Sequence, residues 1–241
     1  MTTDFSWLSR TELLVGKEKL NKLAKSHVMV VGLGGVGSFA AEYIARAGVG
    51  KMTIIDGDVV DPTNRNRQLP ALSTNHGVSK AEIMAERLTA INPELELNVV
   101  KEFVNPEMVE RMLALKPDYL IDAIDSITPK VTFISQAILS NIPMVSSMGA
   151  GAKVDPTQLR VVDISKTYNC PFAQQIRKYL RKHNIRRGLK VAFSAEKPIK
   201  ESLMLTDGSN FKKSAYGTIS YMPAAFGGVV ASVAIRDIMN K

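Results

Sequence analysis

One cysteine in 241 residues leaves no internal disulfide framework and no zinc site built on paired C-x-x-C motifs. Histidine is nearly as scarce, and His27, His76 and His183 are scattered too widely to predict a transition-metal cluster. The first residues, Met1 to Trp7, lack the basic start and apolar stretch of a secretory signal, so the expected compartment is cytoplasmic. Net charge is absent from most of the chain. Between positions 177 and 213 eleven Lys or Arg (177, 178, 181, 182, 186, 187, 190, 197, 200, 212, 213) face three acids (196, 201, 207), and this segment carries the whole formal charge of +8. Such a patch concentrates polyanions and points to nucleic acid; the plain alternative is a solubilising helix face. Positions 216–235 hold no charge for 20 residues, a length that would span a bilayer. Gly217, Pro223, Gly227, Gly228 and several hydroxyl residues make a poor lipid-facing helix, so the expectation is a strand or turn up to Pro223, a packed helix from there to Met239, and no stable membrane association.

What the chain does contain is organised around positions 28–68. Val28-Met29-Val30-Val31 is an apolar, β-branched run that stops at Gly32-Leu33-Gly34-Gly35-Val36-Gly37, and an alanine-rich segment follows up to Gly48. A second run, Met52-Thr53-Ile54-Ile55, ends in Asp56, 19 positions beyond Gly37. This spacing fits a βαβ nucleotide fold, in which glycines admit phosphate, the helix N-terminus offers N–H groups, and Asp56 holds the ribose. Gly32, Gly34, Gly35 and Gly37 are therefore the first candidate binding residues. A G-x-G-x-x-G pattern alone does not separate ATP from a nicotinamide or flavin.

The polar loop beyond Asp56 favours a triphosphate. Arg67 can fork onto phosphate oxygens, Asn64 and Gln68 can position them, and Asp58 can hold a hydrated Mg2+. The plain alternative is a solvated loop shaped by its asparagines and Asp61-Pro62. G-x-G-G-x-G, then D-x-D-x-V-x-x-x-N-x-x-R-Q over 56–68, then Lys80, resembles the adenylation domain of the ThiF/MoeB/HesA family, relatives of ubiquitin-activating enzymes. The resemblance implies one Rossmann-like α/β domain over 1–241, doubly wound with a mostly parallel sheet. Positions 168–215 form a basic insertion or crossover within it, partly flexible. It also implies ATP as cofactor and adenylation of a carboxylate.

Other elements are placed by pattern. Ser9 or Thr11 caps a helix with Leu13, Leu14, Leu20 and Leu23 as its apolar positions. Arg10 stands at its start, in an R-x-x-L-L-V-G context similar to that of the family arginine that reaches the ATP phosphates of a neighbouring subunit; this implies a homodimer, although the residue alone reads as an exposed charge. Helices are expected over 79–91, 106–115 and from Thr128 to Leu139, with strands at 95–101, 118–126, 143–147 and 159–164. Lys80 lies in a first helical turn, where the dipole favours anions, so it serves a bound anion or is a surface lysine. In Asp118-Tyr119-Leu120-Ile121-Asp122-Ala123-Ile124-Asp125 the strand tip falls on the edge of Gly32 and Asp56. Asp122 is expected to make a structural hydrogen bond, and Asp125 matches the family aspartate that binds Mg2+ and ATP. Gly149 and Gly151 leave room for a substrate or relieve crowding.

Within the family the chain resembles the HesA-like branch that dehydrates threonylcarbamoyladenosine beside the tRNA anticodon. I-D-A-I-D-S-x-x-P-K at 121–130, the turn at 155–158 and the basic segment fit that branch. The resemblance implies catalysis by Arg67, Lys80, Asp125 and Arg10, tRNA as partner and a possible sulfur-transfer protein. Cys170 is packed or reactive, and the branch requires no enzyme nucleophile. The other reading is an enzyme activating the C-terminus of a ubiquitin-like sulfur carrier.

Overall fold

The computed structural model describes residues 6–205 and 214–241, and its first helices depart from the leucine pattern. Two helices, Ser9–Val15 (α1) and Lys17–Ala24 (α2), replace the single one expected. Gly16 between them has φ +83°, a left-handed conformation that ends a helix at little cost only for glycine. The break separates the leucines: Leu20 and Leu23 are buried, whereas Leu13 and Leu14 are 88% and 85% exposed. Neither Ser9 nor Thr11 caps α1, since Leu8 occupies the cap position without a side-chain bond.

The chain then alternates strand and helix: His27–Val31 (β1), Gly37–Arg46 (α3), Lys51–Ile55 (β2), Lys80–Ile91 (α4), Glu96–Val100 (β3), Pro106–Leu113 (α5), Tyr119–Asp122 (β4), Ile127–Leu139 (α6), Met144–Ser147 (β5) and Leu159–Asp163 (β6). Pro171–Lys182 (α7), Lys190–Ser194 (β7), the short pair Leu203–Leu205 (β8) and Ser214–Tyr216 (β9), and Tyr221–Met239 (α8) complete it. Seven strands form one sheet in the order β3-β2-β1-β4-β5-β7-β6, all parallel except β6, which runs against β7. This is the expected doubly wound α/β fold. The basic segment supplies both a crossover helix, α7, and a strand inside the sheet, β7; Asp207, Lys212 and Lys213 lie outside the described residues.

Burial explains which runs became strands. Every residue of β1 is buried, because Val28 and Val30 face α2, α3, α4 and α8 while Met29 and Val31 face α5, α6 and α7. Edge strand β3 alternates exposed with partly buried residues before ending on a buried one, as its polar spacing predicts. Among the described residues α8 is the one helix long and apolar enough to cross a membrane; half of that stretch is buried, and the helix packs against α2, α3 and strands β4, β5 and β7. It starts two residues before Pro223, leaving the proline in the first turn where its missing N–H costs nothing.

The strand order reverses between β1 and β4, and in open α/β sheets ligands bind outside the strand tips at such a point. A Cβ on Gly37 would overlap the Gly32 carbonyl oxygen, so α3 can start this close to the end of β1 only with glycine there. At Gly34 the nearest atoms to such a Cβ belong to the Gln68 amide, 3.8 Å away. Chemical denaturation is expected to show Gly37→Ala destabilised by more than about 3 kcal/mol and Gly34→Ala by less than about 1 kcal/mol; equal losses would contradict this packing.

Candidate active site

The glycine turn is held from both sides. Gly32 has φ +87°, and a Cβ on it would meet the Ala123 carbonyl oxygen at 2.8 Å, so the tips of β1 and β4 touch. A Cβ on Gly35 would meet Pro223 of α8 at 2.8 Å. Three of the four glycines thus permit close chain packing, whereas Gly34 has only the Gln68 side chain within 4 Å of a Cβ. Helices α3 and α8 both begin at this turn without a side-chain cap, which leaves first-turn N–H groups suited to an anion.

Asp56 ties the tip of β2 to the turn. Its Oδ2 accepts from the Leu33 N–H at 2.6 Å and its Oδ1 from the Asp58 N–H at 2.8 Å. Burial raises its carboxyl pKa, against the lowering by these donors and by Lys80. Asp56 therefore has a structural role; a carboxylate has about four lone-pair sites, so two backbone bonds leave capacity for hydroxyls.

The loop that follows is shaped largely by its own polar side chains. Asp61 caps the 3₁₀ turn Pro62–Asn64, accepting from the Thr63 N–H at 2.8 Å, and the buried Asn64 returns its Oδ1 to the Asp61 N–H at 3.2 Å. The Asn64 oxygen is thus engaged by the turn. Arg67 is partly buried, and its Nη1 donates to the Thr63 carbonyl at 2.8 Å and to Asn66 Oδ1 at 2.7 Å. Burial lowers the Arg67 pKa while Asp125 and Asp61 raise it, which places the guanidinium within electrostatic reach of both acids; it stays charged, as arginine does in proteins. Gln68 lies over Gly34 with its Oε1 buried and unpartnered. An acceptor left orphaned and buried costs about 1–3 kcal/mol.

Lys80, at the start of α4, is buried, and its Nζ lies 2.8 Å from Asp58 Oδ2. The phosphate lysine and the metal aspartate of the sequence reading are thus partners in the chain itself. Asp125 is exposed beyond the tip of β4, with the Ser126 hydroxyl 3.5 Å from its Oδ1. Asp122 is fully buried and makes the structural bonds expected of it: Oδ2 accepts from the Ser146 hydroxyl at 2.6 Å and Oδ1 from the Ile124 N–H at 3.0 Å. Arg10 is the second residue of α1, two positions after Leu8, which packs on Gly48 at the opposite edge of the sheet, so one chain does not bring Arg10 to the cluster.

Two buried lysines were missed. Lys130 pairs with Asp122 at 2.8 Å, and Lys153 donates to the carbonyls of Asn169, at 3.0 Å, and Glu196. A signal for Lys130 existed, since it shares the stripe 130, 133, 134, 137 with the apolar residues of α6. Both lysines lie within electrostatic reach of Cys170, although none is near it in sequence. The thiol is buried and caps α7, accepting from the Ala173 N–H at 3.4 Å. Gly149 is packed by Phe172 and Gly151 by Tyr216 and Thr218, so these glycines relieve crowding. The basic face starts at this edge and runs away from it: Phe172 touches Gly149, Lys190 opens β7 at the far edge, and Lys178, Arg181, Lys182, Arg186 and Arg187 are exposed between them.

Removing the Asp56 carboxylate would leave the Leu33 and Asp58 N–H groups without an acceptor. Urea unfolding is expected to show Asp56→Ala destabilised by at least about 2 kcal/mol and Asp56→Asn, which keeps one acceptor, by less; an undiminished stability of Asp56→Ala would show that the turn does not depend on it.

Residues 8–241 match the ThiF family. The tRNA threonylcarbamoyladenosine dehydratase of Bacillus subtilis (strain 168) is 47% identical over 191 residues, covering 79% of this chain and 75% of the relative. The enzyme of the same name from Escherichia coli (strain K12) is 38% identical, covering 98% of this chain and 96% of the relative. A crystal structure of E. coli tRNA N6-threonylcarbamoyladenosine dehydratase, TcdA, in complex with ATP matches with a TM-score of 0.90 at 38% identity, covering 100% of this chain and 97% of that one. With the glycine turn, the acid at the tip of β2 and the polar loop in the family's order on a doubly wound sheet, the chain belongs to the ThiF family.

Proposed function

We propose that this chain uses ATP to dehydrate the threonylcarbamoyl side chain of a modified adenosine in tRNA. The observation that carries the reading is likeness along the whole chain to enzymes of that name, one of them solved in complex with ATP, with Gly34, Gln68, Arg67, Lys80 and Asp125 lying around the strand tips of this chain. A helix-capping role for Cys170 agrees with it, because ring closure within the substrate needs no enzyme nucleophile.

A side-chain carboxylate oxygen attacks the α-phosphate of ATP, pyrophosphate leaves, and AMP departs as a nucleophile of the same side chain closes a ring. The protein supplies position and charge. Gly34 lets the backbone approach the phosphates, and the Gln68 amide nitrogen, which lies over Gly34, donates to a phosphate oxygen. Arg67 neutralises phosphate charge, and Lys80 exchanges Asp58 for a phosphate oxygen at little electrostatic cost, since it trades one anion for another. Asp125, exposed beyond the tip of β4, and Asp58 would be the carboxylates to hold a Mg2+ ion, which would help neutralise the phosphate charge. Asp56 orients the ribose. The exposed basic face of α7 grips the RNA backbone in the cytoplasm, where charge recognition of this kind weakens steeply with salt.

The same reading makes the protein a homodimer in which Arg10 completes the partner's site. Exposed Leu13 and Leu14 on the helix that carries Arg10 support an interface there. Arg10→Ala and Arg67→Ala should each be inactive, and mixing them under exchange should restore about a quarter of wild-type turnover, because half of randomly paired dimers hold one intact site. No recovery would place Arg10 outside the neighbouring site.

With ATP labelled at the α-phosphate, AMP release is expected only with threonylcarbamoylated tRNA, and Arg67→Ala or Asp125→Ala should lower kcat/KM at least about 100-fold. Release that requires a small carrier protein and ignores RNA would replace this function with carrier activation.

A further inference from the structure

Lys130 carries a charge with no solvent exposure, and the chemistry above makes no use of it. Its ammonium has three hydrogens and three neighbours. Asp122 Oδ2 lies at 2.8 Å, the Ile124 carbonyl accepts at 3.0 Å, and the Phe172 ring covers it with its centroid at 5.6 Å.

The second contact is the informative one. Asp122 Oδ1 holds the Ile124 N–H, while Lys130 holds the Ile124 carbonyl, so both peptide planes flanking Ile124 are fixed. The carbonyl belongs to the peptide that joins Ile124 to Asp125, and its plane sets the direction in which Asp125 leaves the chain. The preceding carbonyl, of Ala123, packs against Gly32, so the same turn also braces the glycine loop. Asp125 in turn acts electrostatically on both Lys130 and Arg67.

Stability alone does not account for this arrangement. Burial lowers the Lys130 pKa, against the raising by Asp122, and buried ion pairs are often replaced by apolar side chains without loss of stability. What an apolar replacement could not do is donate to the Ile124 carbonyl.

We propose that Lys130 is a positioning residue for Asp125: holding the Asp122 carboxylate and the Ile124 carbonyl together, it orients the 124–125 peptide and with it the direction in which Asp125 leaves the strand tip. It touches no substrate. The inference rests on the ATP-binding reading of the site and is independent of which carboxylate is adenylated.

Lys130→Met alone strands a buried carboxylate and can fail to fold, so the informative protein is the double variant Asp122→Asn with Lys130→Met, which removes both charges and keeps both volumes. It is expected to unfold cooperatively and to bind ATP at least about tenfold more weakly by calorimetry, close to the loss caused by Asp125→Ala; adding Asp125→Ala to it should cost no more than about a further twofold. Unchanged ATP affinity, or losses that multiply, would overturn the proposal, because a purely structural lysine would act independently of Asp125. Hydrogen exchange across 122–126 in the ligand-free protein separates this failure from failure of the ATP reading. Exchange at least about tenfold faster in the double variant supports the positioning role even if no nucleotide binds, and unchanged exchange refutes it.

Discussion

The site depends on how closely the first turn of α3 approaches the end of β1. No side chain fits between Gly37 and the Gly32 carbonyl, and that contact aims the start of the helix at the strand tips. Asp56 fixes the same turn from β2 through the Leu33 N–H, Ala123 from β4, and Pro223 from α8. Three elements distant in sequence, β2, β4 and α8, therefore meet at one backbone turn. With three of its glycines committed to close chain packing, the turn leaves Gly34 with only the Gln68 side chain within reach of a Cβ.

Around this turn the charges are already paired in the protein. Lys80 holds Asp58, Lys130 holds Asp122, and Arg67 lies under the influence of Asp125 while bonded to its own loop. Side chains held in this way lose little freedom when an anion arrives, so binding energy is not spent on ordering them. The two pairs differ in kind. Asp58 is partly exposed and open to exchange of its partner, whereas Asp122 and Lys130 are sealed from solvent and act on the turn that carries Asp125.

Much of this was legible because strand tips and glycine turns leave short, local signatures. The strand at 28–31, the turn at 32–37 and Asp56 follow from periodicity and spacing, and the acid at 125 follows from an apolar run with a known edge. Features set by distant contacts were not legible. Leu13 and Leu14 matched a helical stripe, but the left-handed Gly16 turns them away from the core that holds Leu20 and Leu23. Gly149 and Gly151 read equally as room or as relief, and only the placement of Phe172 and Tyr216 decided it. Lys130 lay inside a quoted motif and on a buried stripe, yet its partner is on a strand and its target is a carbonyl, neither of which leaves a mark in composition.

The basic face follows from the same topology. Helix α7, about 18 Å long for 12 residues, starts beside the site and ends at the opposite edge of the sheet, so its charge is spread along a duplex-sized path and not gathered at the reacting atoms. The measurement that tests dehydration most directly is mass spectrometry of nucleosides from threonylcarbamoylated tRNA incubated with the protein, with and without Mg2+ and ATP. Loss of the mass of one water from that nucleoside, only when ATP is present, is the predicted result. An unchanged nucleoside mass while the protein hydrolyses ATP would contradict it.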